Sequence, residues 1–151
     1  MFSEKDKSYM QLALQLAKQA ELQQEVPIGA VLVLNDEMIG EGFNQPISSH
    51  DPTAHAEVMA LRDGAKKIKN YRLTNTTLYV TLEPCIMCVG SIVHARVKRV
   101  VFGAYDPKKG AVESVFKAHE NQKLNHEVIY EGGLLKEECG KLLVDFFKNR
   151  R

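Results

Sequence analysis

Residues 77–103, TLYVTLEPCIMCVGSIVHARVKRVVFG, carry the pattern that decides the fold. They begin with an apolar run rich in β-branched residues over 77–82, which predicts a strand. Pro84 ends this strand because proline has no backbone N–H to donate, and it suits the first turn of a helix that we expect to continue to about His94. Residues 98–103 form a second apolar run and predict another strand. The alternation of strand, helix and strand indicates an α/β domain.

The segments on either side of this unit continue the alternation. Asn35-Asp36 separates two apolar runs and predicts a hairpin, and Ser3 is the expected N-cap of the first helix. Further strands are expected at residues 27–34, 38–43 and 127–130, and further helices at residues 4–23, 54–67 and 134–149. Residues 111–118 are expected to be a looser segment with some helical character. The order predicts one α/β domain over residues 1–151, with three α/β/α layers and a mixed five-stranded sheet.

Composition and charge exclude several classes of protein. Hydrophobic residues make up 44% of the chain and charged residues 26%, which is ordinary for a folded globular domain. The net charge of +1 means that any nucleic-acid binding has to come from local basic patches. No apolar run has the length of a membrane span and the first residues lack the features of a secretory signal, so we expect a cytoplasmic protein with no membrane partner. The odd number of cysteines, three, argues against a disulfide framework.

The helix expected over residues 86–95 is apolar or small on almost every side. A helix packed on one face of a sheet buries only one stripe of its surface, so its outer side needs a cover as well. Two covers are open at this point: the C-terminal helix of the same chain, or a second copy of the chain in a homodimer.

Two short segments, His55-Ala56-Glu57 and Pro84-Cys85-Ile86-Met87-Cys88, carry the candidate metal ligands. Imidazole and thiolates are ligands that zinc prefers, and cysteines three residues apart share one face of a helical turn. Both segments lie at the start of predicted helices, where side chains lean back toward the N-terminus. Two such helix ends facing each other would direct His55, Cys85 and Cys88 at one zinc ion.

The number of ligands distinguishes a catalytic zinc from a structural one. Structural sites have four protein ligands, whereas catalytic sites have three and leave the fourth position to water. A fourth ligand would have to come from one of the remaining donors: His50, His94, His119, His126 or Cys139. None of them forms a second pair at the spacing of a zinc finger, and Cys139 lies in a predicted helix as an expected buried, inert thiol. A catalytic zinc is favoured, with a structural zinc and a site without metal as the alternatives.

Glu57 is the candidate proton-transfer group of a hydrolytic site. A carboxylate two residues after a ligand, on the same helix end, can reach a metal-activated water without binding the metal itself. Zinc lowers the pKa of such a water toward about 7, and the carboxylate accepts the proton that is released. We expect Glu57 to pass this proton to a ring nitrogen of the substrate and then to the departing amine. Taken without its neighbours, Glu57 would be an ordinary solvated helix acid.

These motifs resemble those of the bacterial tRNA-specific adenosine deaminases, and the resemblance covers essentially the whole chain. The pair H-x-E and P-C-x-x-C is shared with cytidine, guanine and riboflavin-pathway deaminases, so by itself it fixes only the reaction. The flanking stretches narrow the resemblance to the tRNA enzymes. They are residues 26–31 (VPIGAV), 51–57 (DPTAHAE), 70–73 (NYRL), 81–85 (TLEPC), 101–104 (VFGA) and 145–147 (DFF).

The resemblance implies a cytidine-deaminase-like fold, one Zn²⁺ per subunit and a homodimer. It also implies deamination of adenosine to inosine at the wobble position of a tRNA anticodon, in practice an arginine tRNA, by attack of hydroxide at C6. Asn44 would then hydrogen-bond the flipped adenosine, Ile28 would line its pocket, and the backbone around Ala56 would hold the base edge. Asp106 would contact the neighbouring nucleotides. Without the resemblance, Asn44 and Asp106 are ordinary turn residues.

A folded RNA substrate requires cations near the site. An anticodon loop already presents unpaired bases, so extruding one of them costs less than in a duplex. Lys148, Arg150 and Arg151 follow Phe146 and Phe147, and this combination of charge and aromatic rings is typical of contact with single-stranded RNA. A second basic cluster after the zinc-binding helix consists of Arg96, Lys98 and Arg99.

Two other functions are compatible with the same motifs. One is a deaminase of a free base such as guanine or cytosine, which would use the same zinc chemistry on a small molecule. The other is a zinc-stabilised RNA-binding module without turnover. Product formation from an anticodon stem-loop, from free bases or from neither would distinguish the three functions.

Overall fold

The computed structural model describes residues 2–121, 123–124 and 126–150. The strands are β1 (Gly29–Leu34), β2 (Glu37–Phe43), β3 (Thr77–Leu82), β4 (Arg99–Ala104) and β5 (Ile129–Gly132). The helices are α1 (Glu4–Leu22), α2 (Ala56–Ile68), α3 (Ile86–Ala95) and α4 (Lys136–Lys148), with a short 3-10 helix at Ala118–Glu120. In the described part of the chain, none of the helices combines the length and the apolar character that a membrane crossing needs.

The strands form one mixed sheet in the order β2-β1-β3-β4-β5. β1 pairs antiparallel with both β2 and β3, whereas β3, β4 and β5 run parallel to one another. Thr77 lies opposite Arg99 at one end of the β3–β4 pair and Leu82 lies opposite Ala104 at the other. The segments that follow β3 and β4 therefore leave the sheet at the same edge, and this edge carries the candidate site.

The helices cover both faces of the sheet, which confirms the predicted three-layer α/β/α fold. Alternate residues of each strand point to opposite faces, and two apolar clusters follow from this alternation. On one face, α1 and Cys139 of α4 pack against the side of the sheet that presents Val31 and Val101. On the other face, α2 and α3 pack against the side that presents Leu32 and Phe102.

The start of α2 is positioned by its close approach to β2. A Cβ added to Gly42 of β2 would lie 2.5 Å from the carbonyl oxygen of Ala56 and 2.6 Å from the amide nitrogen of Ala60. Only glycine leaves room for this contact between two backbones. The sequence of β2 thus fixes where α2 begins, and with it the place of His55.

Two sequence expectations are wrong in detail. β5 begins at Ile129 rather than at residue 127 and ends at Gly132, and the next residue, Gly133, has a positive φ of 100°. Residues 111–117 form turns, with helical structure only in the 3-10 turn at 118–120, because amides of this segment donate to a buried carboxylate rather than to carbonyls one turn earlier. Of the two covers left open for α3, the described part of the C-terminal helix does not provide one, since α4 lies on the opposite face of the sheet.

Candidate zinc site of a deaminase

His55 and Cys85 occupy equivalent places in the fold. His55 is the N-cap of α2 and Cys85 is the N-cap of α3, and both have extended backbones. Neither side chain caps its own helix, so the imidazole and the thiol are free to interact elsewhere. Cys88 lies in the first turn of α3 and is completely buried. The two helix ends bring these three side chains together as the sequence predicts.

The distances between the three donors fit a zinc ion. His55 Nδ1 lies 3.6 Å from the Sγ atoms of both Cys85 and Cys88. Zinc bonds of about 2.1 Å to nitrogen and 2.3 Å to sulfur at a tetrahedral angle place N and S about 3.6 Å apart. Within residues 2–121, 123–124 and 126–150, these are the only three donors that come close enough to hold one metal ion.

The two thiols have opposite acid–base properties in the absence of a metal. Hydrogen bonds from the Cys88 thiol and the His55 ring lower the pKa of Cys85 to about 3. The hydrogen bond to Cys85, together with burial, raises the pKa of Cys88 far above its usual range. Two thiolates this close repel each other unless a cation lies between them. The donor set therefore fits a dication in its charge as well as in its geometry.

Glu57 lies in the first turn of α2 and is 4% exposed. Burial raises the pKa of its carboxyl to about 7, and the carboxyl is close enough to His55, Cys85 and Cys88 to interact with each of them. The hydrogen bond to Cys85 raises the pKa of His55, and the charge of Glu57 acts in the same direction. A buried carboxyl without a structural ion pair, beside a metal-binding group, is suited to proton transfer.

The other candidate zinc ligands lie elsewhere or have partners. Cys139 packs on the opposite face of the sheet, where a Cβ at Gly103 would lie 2.4 Å from its Sγ, and burial raises the pKa of its thiol to about 12. His119 and His126 hydrogen-bond the carbonyl oxygens of Val112 and Val97. His50 and His94 do not join the donor group either, so the described residues bring three candidate ligands together, which is the number in a catalytic zinc centre.

Asn44 and Ile28 lie next to the segment that leads to His55. The Asn44 amide donates to the carbonyl oxygen of Ile28 at 3.0 Å, and the Gln45 amide donates to that of Ala54 at 2.9 Å. Asn44 is 6% exposed. Its side-chain amide forms no hydrogen bond to another described residue. Ala56 is completely buried as the first residue of α2. The structure therefore gathers the predicted base-binding residues beside the predicted metal ligands.

Asp106 lies in the turn that follows β4, at the same edge of the sheet. Its Oδ1 accepts hydrogen bonds from the amides of Lys108 and Lys109, so the carboxylate shapes its own loop. Its amide donates to Glu83, a buried residue for which the sequence predicts no role. The sequence signal that could have identified Glu83 is its position, since an acidic residue directly after an apolar strand and before Pro84 is unusual.

The two predicted basic clusters differ in whether the structure leaves their charges exposed. Lys148 and Arg150 are exposed at the end of α4, and the Arg150 guanidinium lies 4.0 Å from the ring centre of Phe146, whereas Arg151 lies outside the described residues. The expectation for Arg99 is wrong. Its guanidinium donates to Asp6 and Glu131 at the far end of β4, so it is not a free cation near the site.

Comparison with known proteins agrees with this geometry. Residues 3–104 match the family model for the cytidine and deoxycytidylate deaminase zinc-binding region. The fold and the His-Cys-Cys group thus define a member of the zinc-binding deaminases.

Relatives that match nearly the whole chain identify the family more specifically. The chain is 55% identical to the tRNA-specific adenosine deaminase of Haemophilus influenzae, over 99% of this chain and 87% of that protein. It is 44% identical to the Bacillus subtilis protein of the same name, over 97% of this chain and 91% of that protein. A solved structure from studies of A-to-I editing by tRNA deaminases at the wobble position superposes with a TM-score of 0.87 at 41% identity, over 90% of this chain and 99% of that one. The chain belongs to the tRNA-specific adenosine deaminases.

Proposed function

We propose that this protein converts adenosine to inosine at the wobble position of a tRNA anticodon, with an arginine tRNA as the substrate. The observation that carries the proposal is the three-donor set of His55, Cys85 and Cys88, beside the buried carboxyl of Glu57. Relatives at 40–55% identity over nearly the whole chain are tRNA-specific adenosine deaminases, which supports the choice of substrate. We place the activity in the cytoplasm.

Three residues would hold one Zn²⁺ per subunit. His55 would bind through Nδ1, and Cys85 and Cys88 through Sγ, as the 3.6 Å spacing between nitrogen and each sulfur allows. When bound, zinc supplies the Lewis acidity that lowers the pKa of a water molecule toward about 7. Three protein ligands leave one coordination position for that water.

Glu57 would move the protons of the reaction. Its carboxylate accepts a proton from the attacking water and delivers it to N1 of the adenine ring, which makes C6 electrophilic. The water oxygen forms a bond to C6, and the bond from C6 to the exocyclic nitrogen breaks. A second proton passes through Glu57 to the departing nitrogen, so adenosine and water give inosine and ammonia. The burial of Glu57 favours this exchange because it brings the pKa of the carboxyl near neutrality.

Asn44, Ile28 and Ala56 would bind the flipped base. The Asn44 amide can both donate and accept, which suits the polar edge of a purine. Ile28 is partly buried against the apolar cluster of α2 and α3, so it can offer an apolar surface to the ring. The backbone at Ala56, between His55 and Glu57, would hold the base edge next to the metal.

Contacts to the rest of the anticodon loop would come from Asp106 and from the C-terminal basic residues. Lys148 and Arg150 are exposed beside the partly exposed ring of Phe147, and Arg151 follows them in sequence. Cations beside aromatic rings can neutralise phosphates and stack on unpaired bases.

We infer that the protein acts as a homodimer through the outer side of α3. Ile86 is 55% exposed, and a Cβ at Gly90 would meet no atom within 4 Å. The helix α4 of the same chain packs on the opposite face of the sheet and leaves this surface uncovered in the described residues. An apolar helix face of this kind is suited to pairing with its own copy about a two-fold axis.

An assay with four substrates tests the proposed function. The zinc-loaded protein is incubated with an arginine tRNA anticodon stem-loop and with free adenosine, guanine and cytosine, and products are identified by mass spectrometry. We expect inosine in the stem-loop alone. Turnover confined to a free base would instead support a small-molecule deaminase, and RNA binding without product would support a binding module.

A further inference from the structure

Glu83 is a buried carboxylate that the deamination chemistry does not use. It lies between the end of β3 and Cys85 and is 2% exposed. Its side chain belongs neither to the three metal donors nor to the proposed base-binding residues. A charge buried this deeply costs folding free energy unless hydrogen bonds compensate for the lost water. The partners of Glu83 therefore indicate what the residue does.

Among the described residues, the side-chain hydrogen bonds of Glu83 all go to one segment, residues 106–114, which we call the 106–114 loop. Oε1 accepts from the Asp106 amide at 3.1 Å and from the Ser114 hydroxyl. Oε2 accepts from the amides of Val112, Glu113 and Ser114 at 3.1, 2.8 and 3.0 Å. Both ends of the loop are therefore held by the same carboxylate.

The middle of the loop packs on the same residue. A Cβ added to Gly110 would lie 2.3 Å from Cδ of Glu83, so a larger residue there would displace the carboxylate. The amide of Ala111 donates to the carbonyl oxygen of Pro84 at 2.8 Å, one residue before Cys85. The loop is thus attached both to Glu83 and to the segment that leads into the zinc site.

We propose that Glu83 is a positioning residue for RNA binding, which holds the 106–114 loop so that Asp106 faces the bound anticodon loop. The proposal rests on the proposed function, because the contact of Asp106 with RNA is part of it. Glutamine at position 83 would have nearly the same shape but only one acceptor oxygen, and its NH₂ group would face amides that also donate. At least one end of the loop would lose its acceptor, while His55, Cys85 and Cys88 would stay on their helices.

Steady-state kinetics with the stem-loop test the role of Glu83 in substrate binding. In Glu83→Gln we expect KM to rise about tenfold, the equivalent of about 1.4 kcal/mol, with kcat within about threefold of wild type and unchanged zinc content. Glu137→Gln, at an exposed position of α4, is the matched control and should leave both parameters unchanged. A KM within twofold of wild type in folded, zinc-loaded Glu83→Gln would overturn the proposal, and so would a loss confined to kcat.

A double-mutant cycle separates positioning from general destabilisation. If Glu83 acts through Asp106, adding Asp106→Ala to Glu83→Gln should raise KM no further than the larger single effect. If the two substitutions raised KM independently, so that the double variant showed the product of the two single effects, the proposal would be contradicted. Should Glu83→Gln not fold, Ser114→Ala removes one bond to the same carboxylate and is expected to raise KM about threefold.

Hydrogen exchange gives a measurement that does not need activity. The amides of Val112, Glu113 and Ser114 should exchange at least about tenfold faster in Glu83→Gln than in wild type or Glu137→Gln. Unchanged exchange would refute the anchoring of the loop. Absence of inosine with the wild-type protein would refute the proposed function and leave this measurement interpretable.

Discussion

Two clusters of ionisable side chains lie at opposite ends of β3 and β4, and they differ in whether an arginine hydrogen-bonds the acidic groups. At the first end, Asp6 accepts hydrogen bonds from Arg99 at 2.9 and 3.0 Å and from the Tyr79 hydroxyl at 2.7 Å. Arg99 also pairs with Glu131. In this cluster, which we call the Asp6–Arg99 cluster, every buried charge has a partner within the chain.

At the other end, no lysine or arginine of the described residues hydrogen-bonds Cys85, Cys88 or Glu57, and Lys109 acts on His55 only through its charge. Cys85, Cys88 and Glu57 can each carry a negative charge, and the only basic group among them is the His55 ring, which binds a metal when neutral. Buried charges persist only when they are paired or bind a metal. The Asp6–Arg99 cluster has its counter-charge within the chain, whereas the donor set at the other end fits a dication as its counter-charge.

Removing a zinc ligand should break the zinc site and have the largest effect. Cys88→Ala is expected to lose bound zinc and to lower the deamination rate by at least about 10³-fold, because no other group can activate the water. Cys139→Ala, which removes a buried thiol from the opposite face of the sheet, is the matched control and should keep zinc and activity. Metal analysis by mass spectrometry together with the stem-loop assay measures both, and full zinc content in Cys88→Ala would refute the ligand assignment.

Removing the proton carrier should affect the chemistry but not the metal. Glu57→Gln is expected to bind zinc like wild type and to lower kcat by about 10²–10⁴-fold, the usual contribution of a positioned general acid–base group. Activity within tenfold of wild type in the zinc-loaded variant would exclude Glu57 as the proton carrier.

Breaking the Asp6–Arg99 cluster should lower stability instead of activity. Arg99→Ala leaves Asp6 buried without its cation, so we expect the free energy of unfolding to fall by about 3–5 kcal/mol. The folded fraction should keep the kcat of wild type. Lys141→Ala, which breaks an exposed pair with Asp145, is the control and should cost less than about 0.5 kcal/mol in urea unfolding. Equal losses for the two variants would show that burial does not strengthen the Asp6–Arg99 pair.

The same cluster makes stability depend on pH in the acid range. The hydrogen bonds from Arg99 hold the pKa of Asp6 well below its ordinary value of 3.8. A carboxyl with a lowered pKa in the folded state stabilises the protein above its unfolded pKa and loses this contribution as the pH falls toward the folded pKa. The difference in unfolding free energy between wild type and Asp6→Asn should therefore be constant above about pH 5 and shrink below about pH 4. A constant difference from pH 7 to pH 3 would contradict this assignment.

The smallest effect is expected at the C-terminal surface, where charges are exposed. Replacing Lys148 and Arg150 with glutamine should weaken stem-loop binding several-fold and reduce the slope of log K against log salt by about 1.4, or about 0.7 per phosphate contact on a single strand. Lys5→Gln and Lys7→Gln, made together on the first turn of α1, are the matched control. An unchanged slope would mean that these residues do not contact phosphates.

Most of the strands and helices, and the group of three metal donors, could be predicted because local chemistry determines them. Pro84 and the apolar runs determine β3 and α3, and the histidine and cysteines identify themselves by type and spacing. The mixed five-stranded sheet then follows from the initial hairpin and the later alternation of elements.

The errors all concern contacts between residues distant in sequence. The role of Arg99 depends on Asp6, which is 93 residues away, and the conformation of residues 112–114 depends on Glu83. The first residue of β5 depends on the pairing of this strand with β4, in which Arg99 lies opposite Ile129. A single sequence does not predict such contacts, because hydrophobic periodicity and capping residues depend only on neighbours in sequence.

X-ray absorption spectroscopy of the zinc-loaded protein tests the central claim most directly. We expect a zinc shell of two sulfur atoms, one imidazole nitrogen and one light atom from water, with one zinc per chain. A shell of four protein donors, such as three sulfurs and one nitrogen, would leave no position for water and would contradict the assignment of a hydrolytic centre.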